Sequence, residues 1–255
     1  MSNVVVEIND LEKKFKKYTI QINSLKSFVL NYKTYKSEKE KISELAIING
    51  LSLKIYKSDI LCIVGLNGAG KSTLAKLIAG TTKPTSGSVN VKGRIVPFLE
   101  LGVAFNTELS GRDNVYLNGV LLGLSTKYIR ENMNKIFEYA ELNDFIDTPL
   151  KYYSSGMQMR LAFSVGMHAD GDIYIFDEIL SVGDANFKKK CITTFHNLID
   201  KGRTIIIVTH DLSVVREYAN KVLLLNRGKY KLLTDVNDIR KIDDAMLNEI
   251  DKCMM

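Results

Sequence analysis

Four runs of consecutive apolar, largely β-branched residues punctuate the chain: Ile60–Val64, Ile173–Phe176, Thr204–Val208 and Val222–Leu225. Uninterrupted apolar positions predict strands covered on both faces, as in a parallel sheet. A polar or glycine-bearing turn and then a helical pattern follow each of the first three. That rhythm predicts an open α/β sheet with its ligands at the carboxyl ends of the strands. Val4–Ile8 and residues 87–96 include alternation such as Ser88-Val89-Asn90-Val91, which predicts antiparallel strands with one wet face. Between about Leu109 and His168 the period becomes helical. Ser110 with Asp113 resembles a capping box. Val115, Leu117, Val120, Leu121 and Leu124 then form one apolar stripe, and Ile129, Met133, Ile136, Phe137 and Ala140 another. The expected organisation is one domain over residues 1–255. Its α/β core takes residues 1–98 and 169–255, a helical subdomain takes 99–168, and residues 19–47 form a polar, lysine-spotted insertion.

At 255 residues, 45% hydrophobic and 25% charged, the chain has ample material for a core and is not a disordered tail. No apolar run reaches the roughly 18 to 20 residues that a membrane-spanning helix needs. The N-terminus lacks the basic-then-apolar layout of a secretion signal. The chain is therefore expected not to cross a membrane by itself. Cys62, Cys191 and Cys253 are far apart and form no CxxC pair, which speaks against structural zinc and a disulfide framework. Cys62, inside an apolar run, reads as a small core residue, and a reducing cytoplasm fits. The net charge of +6 is a weak pointer to nucleic acid, an anionic membrane surface or solubility alone. The lysines of the N-terminal third are interspersed with Glu and Asp and read as a solvated surface.

Chemistry concentrates at the strand ends. Residues 65–73 read GLNGAGKST and match G-x-x-x-x-G-K-[ST], directly after one apolar strand and opening an amphipathic run at Leu74, Leu77 and Ile78. This is the context a phosphate-binding loop requires. Gly65, Gly68 and Gly70, with Asn67 and Ala69 between them, let successive amides turn toward one anion, and the helix start adds partial positive charge. Lys71 can reach the β- and γ-phosphates, Ser72 can ligate Mg²⁺, and Thr73 continues the helix start. The run DIYIFDE (172–178) is a short strand ending in two acids. Asp177 is placed to hold the metal, directly or through water, and Glu178 to act as general base toward a water attacking the γ-phosphate. Tyr153–Arg160 (YSSGMQMR) opens a second helix, and Ser154 and Gly156 form a second anion site at its start. Two such helix starts are explained together if one faces the nucleotide of another chain. His210 follows the Thr204–Val208 strand and converges on the phosphates as a γ-phosphate sensor. His168 and His196 read as structural or surface residues.

With these motifs in order, the chain resembles the ATP-binding subunits of ABC transporters over nearly its whole length. GLNGAGKST looks like Walker A and IYIFDE like Walker B with its catalytic glutamate. SVGD (181–184) sits where the D-loop lies, His210 where the switch histidine lies, and YSSGM in the place of the signature LSGGQ. Tyr153, Ser155 and Met157 depart from that signature, and Glu100 stands where the family has its Q-loop glutamine. The resemblance implies an α/β P-loop NTPase fold, the ABC ATP-binding cassette. Its core sheet is mostly parallel, with an antiparallel strand region and an inserted helical subdomain. GRIVPFLELGVAFNTELSGRDNVYLNG, YSSGMQMRLAFSVG and DEILSVGDANFKKKC are similar to the exporters of teichoic acids, O-antigen and capsular polysaccharides.

The resemblance further implies ATP and Mg²⁺ as ligands and a second copy as head-to-tail partner, with Ser154, Ser155 and Gly156 on the other chain's nucleotide. It implies a polytopic permease that moves a lipid-linked glycan outward, a peripheral place on the cytoplasmic face of the cytoplasmic membrane, and no nucleic-acid partner. Phe15, or Tyr18 three residues on, would stack on adenine, with Phe15 favoured by its place after Val4–Ile8. Glu100 would link the Mg²⁺ site to the permease contact. After Val222–Leu225 only a polar helical tail is expected, without the carbohydrate-recognising domain that some members carry. An exporter of another lipid or small molecule is the alternative, and a soluble ABC ATPase acting on DNA or ribosomes a more distant one.

Overall fold

The structure is a computed structural model that describes residues 3–17, 43–99, 102, 104–177, 184–226 and 228–243. Its centre is a six-stranded sheet of order β5-β6-β7-β3-β8-β9, built from β3 (Ile60–Gly65), β5 (Ile95–Phe98), β6 (Ile173–Asp177), β7 (Thr204–Val208), β8 (Lys221–Asn226) and β9 (Lys229–Leu233). The first five of these strands run parallel, and β9 returns antiparallel to β8. β7 is buried along its whole length, as its unbroken apolar run demands. A second, antiparallel sheet of order β2-β1-β4 comprises β1 (Val4–Lys17), β2 (Ser43–Tyr56) and β4 (Ser86–Val91). The fold is α/β, with a largely parallel sheet and a separate antiparallel one.

Alternate residues of β3 divide the core. Leu61 and Ile63 face the antiparallel sheet and helix α1 (Lys71–Ile78), while Cys62 and Val64 face the other way. On that second side lie α2 (Gly111–Leu121), α3 (Thr126–Ala140), α4 (Ser155–His168) and α5 (Ala185–Asp200), then α6 (Leu212–Tyr218) and α7 (Val236–Arg240). Phe98, at the end of β5, anchors this layer. Its ring lies 5.3 Å from Phe163 of α4 and 4.8 Å from Phe176 of β6. Gly166 is required opposite it, since an added Cβ would come within 2.6 Å of the Phe98 ring. Burial among these groups pushes the Cys62 thiol up to about 12. The His168 Nδ1 pairs with the Ser164 carbonyl at 2.8 Å.

Several expectations are corrected. β2 begins at Ser43, so residues 43–47, expected in a polar insertion, are strand paired with Phe15 and its neighbours on β1; residues 18–42 lie outside the described residues. Residues 87–96 are not one antiparallel unit. The chain turns at Gly93 (φ +109), and Asp172 accepts the Arg94 N–H at 2.8 Å, so β4 and β5 enter different sheets. The tail after Val222–Leu225 includes β9, whose residues alternate poorly and follow a turn too short to predict. Ser110 caps α2 by accepting the Asp113 N–H at 3.1 Å, but the Asp113 carboxylate accepts from the Ser110 hydroxyl at 2.6 Å rather than reaching the cap's backbone. Phe98→Ala is expected to destabilise the protein by about 3–5 kcal/mol, because its cavity cannot collapse against two further rings. A urea-unfolding midpoint checks this.

Candidate phosphate-binding site

The site grows from the carboxyl end of β3. β7 pairs with β3 on one side and β6 on the other, in a register that sets Val208 opposite both Ile63 and Asp177. The phosphate-loop candidate, Asp177 and the turn after β7 therefore emerge along one edge of the sheet. The chain must then turn sharply from β3 into α1. Gly65 permits this because a Cβ there would overlap the Leu225 carbonyl of β8. Gly70, at φ +100, is left-handed and lies under Ile47 of β2, where a Cβ would meet the Ile47 methyl at 2.6 Å.

Gly70 is also the N-cap of α1, and no side chain caps that helix. The other α-helices of the described residues are each capped by a side chain: Ser110, Ser125, Ser154, Asp184, Asp211 and Asp235. The first N–H groups of an α-helix have no partner within the helix. At α1 they open on a cavity of about 560 Å³. Gly68, Gly70, Lys71, Ser72 and Thr73 line it from the loop and helix, with Asn67 beside them and Asp177 opposite. Phe15, Ile47 and Leu99 supply an apolar wall. Ala69 is buried and donates its N–H to the Leu66 carbonyl at 3.1 Å, so it shapes the turn instead of lining the cavity. The Lys71 ammonium donates to the carbonyls of Gly65 at 2.8 Å and Leu66 at 3.2 Å, folded back across the loop it serves.

This arrangement suits an anion with several oxygens: backbone dipoles, one ammonium and a helix start converge on one volume. The Ser72 hydroxyl and the Asp177 carboxylate are hard oxygen donors on the same cavity, a set that fits Mg²⁺, which keeps part of its water shell and takes one or two protein oxygens. Among the described residues no group of three His, Cys, Asp or Glu side chains forms a metal cluster. Phe15 is half exposed, with the Lys13 ammonium 5.0 Å from its ring centroid.

The other candidates stand apart. His210 is exposed on the turn after β7, between Thr209, whose N–H reaches the Ile63 carbonyl at 3.2 Å, and Asp211, the cap of α6. Bonds from the Ser213 hydroxyl and N–H hold the Asp211 carboxyl below the usual carboxylate range. Ser154, Ser155 and Gly156 are exposed at the start of α4 and do not line the cavity; the Ser154 hydroxyl accepts the Met157 N–H at 3.2 Å. Tyr153 just before them is buried and donates to the Phe145 carbonyl at 2.5 Å. Glu178, Glu100 and Tyr18 lie outside the described residues. Ile47 and Leu99 were missed by sequence reasoning. Nothing local marks Ile47, whose place over Gly70 comes from β1–β2 pairing. Leu99 also lines a second cavity of about 280 Å³, together with Lys76 of α1 and Leu121 of α2.

Residues 48–181 match the family model described as ABC transporter. The chain belongs to the ABC transporter family. It is 41% identical over 223 residues to an O-antigen export system ATP-binding protein of Myxococcus xanthus, covering 87% of this chain and 51% of that one. It is 34% identical over 253 residues to a teichoic acids export ATP-binding protein of Bacillus cereus, covering 99% of this chain and 45% of that one. The chain thus spans about half the length of these two curated relatives. The fold matches that of an ATP-binding cassette solved as a dimer in a post-hydrolysis state with ADP and Pi, at a TM-score of 0.68 and 20% identity, over 89% of this chain and 97% of that one. Within this ABC-family chain, Lys71→Met is expected to weaken binding of a fluorescent nucleoside triphosphate by about ten- to a hundredfold, the loss of a charge-assisted bond. Equilibrium fluorescence titration measures it.

Proposed function

We propose that the protein is the ATP-hydrolysing subunit of an exporter that drives a lipid-linked cell-surface polysaccharide, of the O-antigen, capsule or teichoic acid type, outward through a separate permease. The observation that carries the ATPase reading is the uncapped start of α1 opening on a cavity shared by Lys71, Ser72 and Asp177. The substrate class is supported by the names of the relatives and by the segments around the helical subdomain.

In this reading the phosphate tail of ATP takes the N–H groups of residues 68–73, and the Lys71 ammonium turns from the loop carbonyls to the β- and γ-phosphate oxygens. Phe15 stacks on adenine, with Ile47 at the same apolar wall. Ser72 and Asp177 would hold a magnesium ion, which when bound supplies positive charge to the phosphate oxygens. Two copies close head to tail, so that Ser154, Ser155 and Gly156 of one meet the nucleotide of the other. Exposure of that helix start in the single chain supports this division. Glu178 accepts a proton from water as its oxygen bonds to the γ-phosphorus, and ADP leaves with the electron pair of the broken P–O bond. His210 donates to the γ-phosphate. Backbone dipoles already in place stabilise the charge that develops.

Among the described residues no helix is long and apolar enough to cross a membrane. The protein acts from the cytoplasmic face, with permease helices resting in the cavity between α1 and α2. Glu100 lies in sequence beside that groove, one residue after Leu99, and would relay between it and the metal site.

Glu178→Gln is expected to lower turnover by at least about a hundredfold while ATP binding persists. Undiminished phosphate release would remove the base assignment. The same variant, used with ATP as bait in detergent-solubilised membranes, is expected to recover a polytopic permease with a lipid-linked glycan. A permease carrying a different lipid would overturn the polymer, and recovery of soluble DNA- or ribosome-associated partners alone would overturn transport.

A further inference from the structure

Phe15 does not stand alone on its strand. Lys13 lies two positions earlier on β1, a spacing that puts both side chains on one face. Its ammonium rests over the Phe15 ring, 5.0 Å from the centroid, and donates to the Lys83 carbonyl at 2.9 Å. The neighbouring Lys14 serves a different pairing, with the Glu12 carboxylate at 3.0 Å. Of two adjacent lysines, one closes a local ion pair. The other spans an aromatic ring and a carbonyl seventy residues along the chain.

Both ends of that span are fixed by backbone. The segment that returns from α1 toward β4 is stitched to β1 beside Lys13. The Thr85 hydroxyl accepts the Lys14 N–H at 3.0 Å, and the Thr85 N–H donates to the Glu12 carbonyl at 2.8 Å. Ser86 then pairs with Glu12 across the sheet, so the Lys83 carbonyl is presented from a held turn. On β2, Lys13 stands opposite Ile48 and Lys14 opposite Ala46, which leaves Ile47 as an extra residue in a bulge. The bulged Ile47 is the residue that lies over Gly70 and shares the cavity wall with Phe15.

Stability is a weak reason for the span. Ordering a lysine stem costs rotamer freedom, and an ammonium on an exposed ring returns little to the fold. For a bound base the same contact matters more. The Phe15 ring is 46% exposed, so it has room to turn until something holds it. An ammonium over the ring also draws π density toward itself. The opposite face becomes less negative and stacks better on an electron-rich purine.

We infer that Lys13 is a positioning residue for the nucleotide base. Anchored on the Lys83 carbonyl, it holds and polarises the Phe15 ring so that the ring takes a purine in preference to a pyrimidine. The inference rests on the proposal that Phe15 stacks on the base of a bound nucleotide.

The test is calorimetric binding of ATP, CTP and inorganic tripolyphosphate to the full chain. The variants are Lys13→Met, Lys13→Arg, Phe15→Leu and the Lys13→Met, Phe15→Leu pair. Lys13→Met is expected to weaken ATP binding by about three- to fivefold, to weaken CTP binding less, and to leave tripolyphosphate binding unchanged. Lys13→Arg should keep most of the ATP affinity, because a guanidinium also lies well on a ring. In the Phe15→Leu background, Lys13→Met should add no further loss. A merely structural or general electrostatic role would weaken all three ligands together, and that result overturns the inference. So does an ATP affinity that Lys13→Met leaves unchanged, or a loss that persists in full without the Phe15 ring. A wild-type chain that binds ATP no better than tripolyphosphate removes the base role of Phe15 along with this inference, whereas one that binds neither ligand removes the proposed function.

Discussion

The N–H groups at the start of α1 are left without a side-chain cap, and the surrounding structure is arranged to keep them so. Gly65 brings the β3 end under the Leu225 carbonyl, where no Cβ fits, and Gly70 holds a left-handed turn beneath Ile47. Among the described residues each other α-helix has a side chain that accepts from its first turn. At α1 the donors are instead aimed into a cavity whose far wall, Asp177, arrives because β6, β7 and β3 share one register. A helix end exposed in this way leaves its donors to water or an anion, so the local fold is suited to an anionic ligand.

The second consequence is a division of labour. The α/β core supplies the cradle and Asp177 at a strand end, while the helical segment carries Ser154, Ser155 and Gly156, which do not line that cavity. On the proposed reading these are two halves of a phosphate clamp on separate surfaces of one chain, which a second copy brings together.

Much of this was legible before the structure, and the reasons are local. β3, β6, β7 and β8 are buried on both faces, so their apolar runs are unbroken and carry no ambiguity of period. GLNGAGKST compresses strand end, turn and helix start into nine residues; Gly65 and Gly70 each answer to a contact with a neighbouring strand, and Gly68 to its left-handed φ of +81. What was hidden depends on distant pairing. Ser43–Ile47 follows a polar, lysine-spotted stretch with no turn signal to separate them, and only its register with β1 brings Ile47 over Gly70. The split of β4 from β5 turns on Gly93 and on Asp172, far along the chain. Pro97 is tolerated because β5 is an edge strand, a fact the sequence around it does not reveal.

The central claim is that each nucleotide lies between the α1 cradle of one copy and the α4 start of the other, and a mixing experiment tests it most directly. Chains carrying Lys71→Ala and chains carrying Gly156→Glu are each expected to be inactive. In a head-to-tail pair of the two, one composite site keeps an intact Lys71 and an intact Gly156. Equal mixing should therefore restore ATP hydrolysis to about a quarter of the wild-type rate, half the pairs being mixed with one good site in two. Continued inactivity of the mixture, with both variants folded and able to pair, would contradict the account.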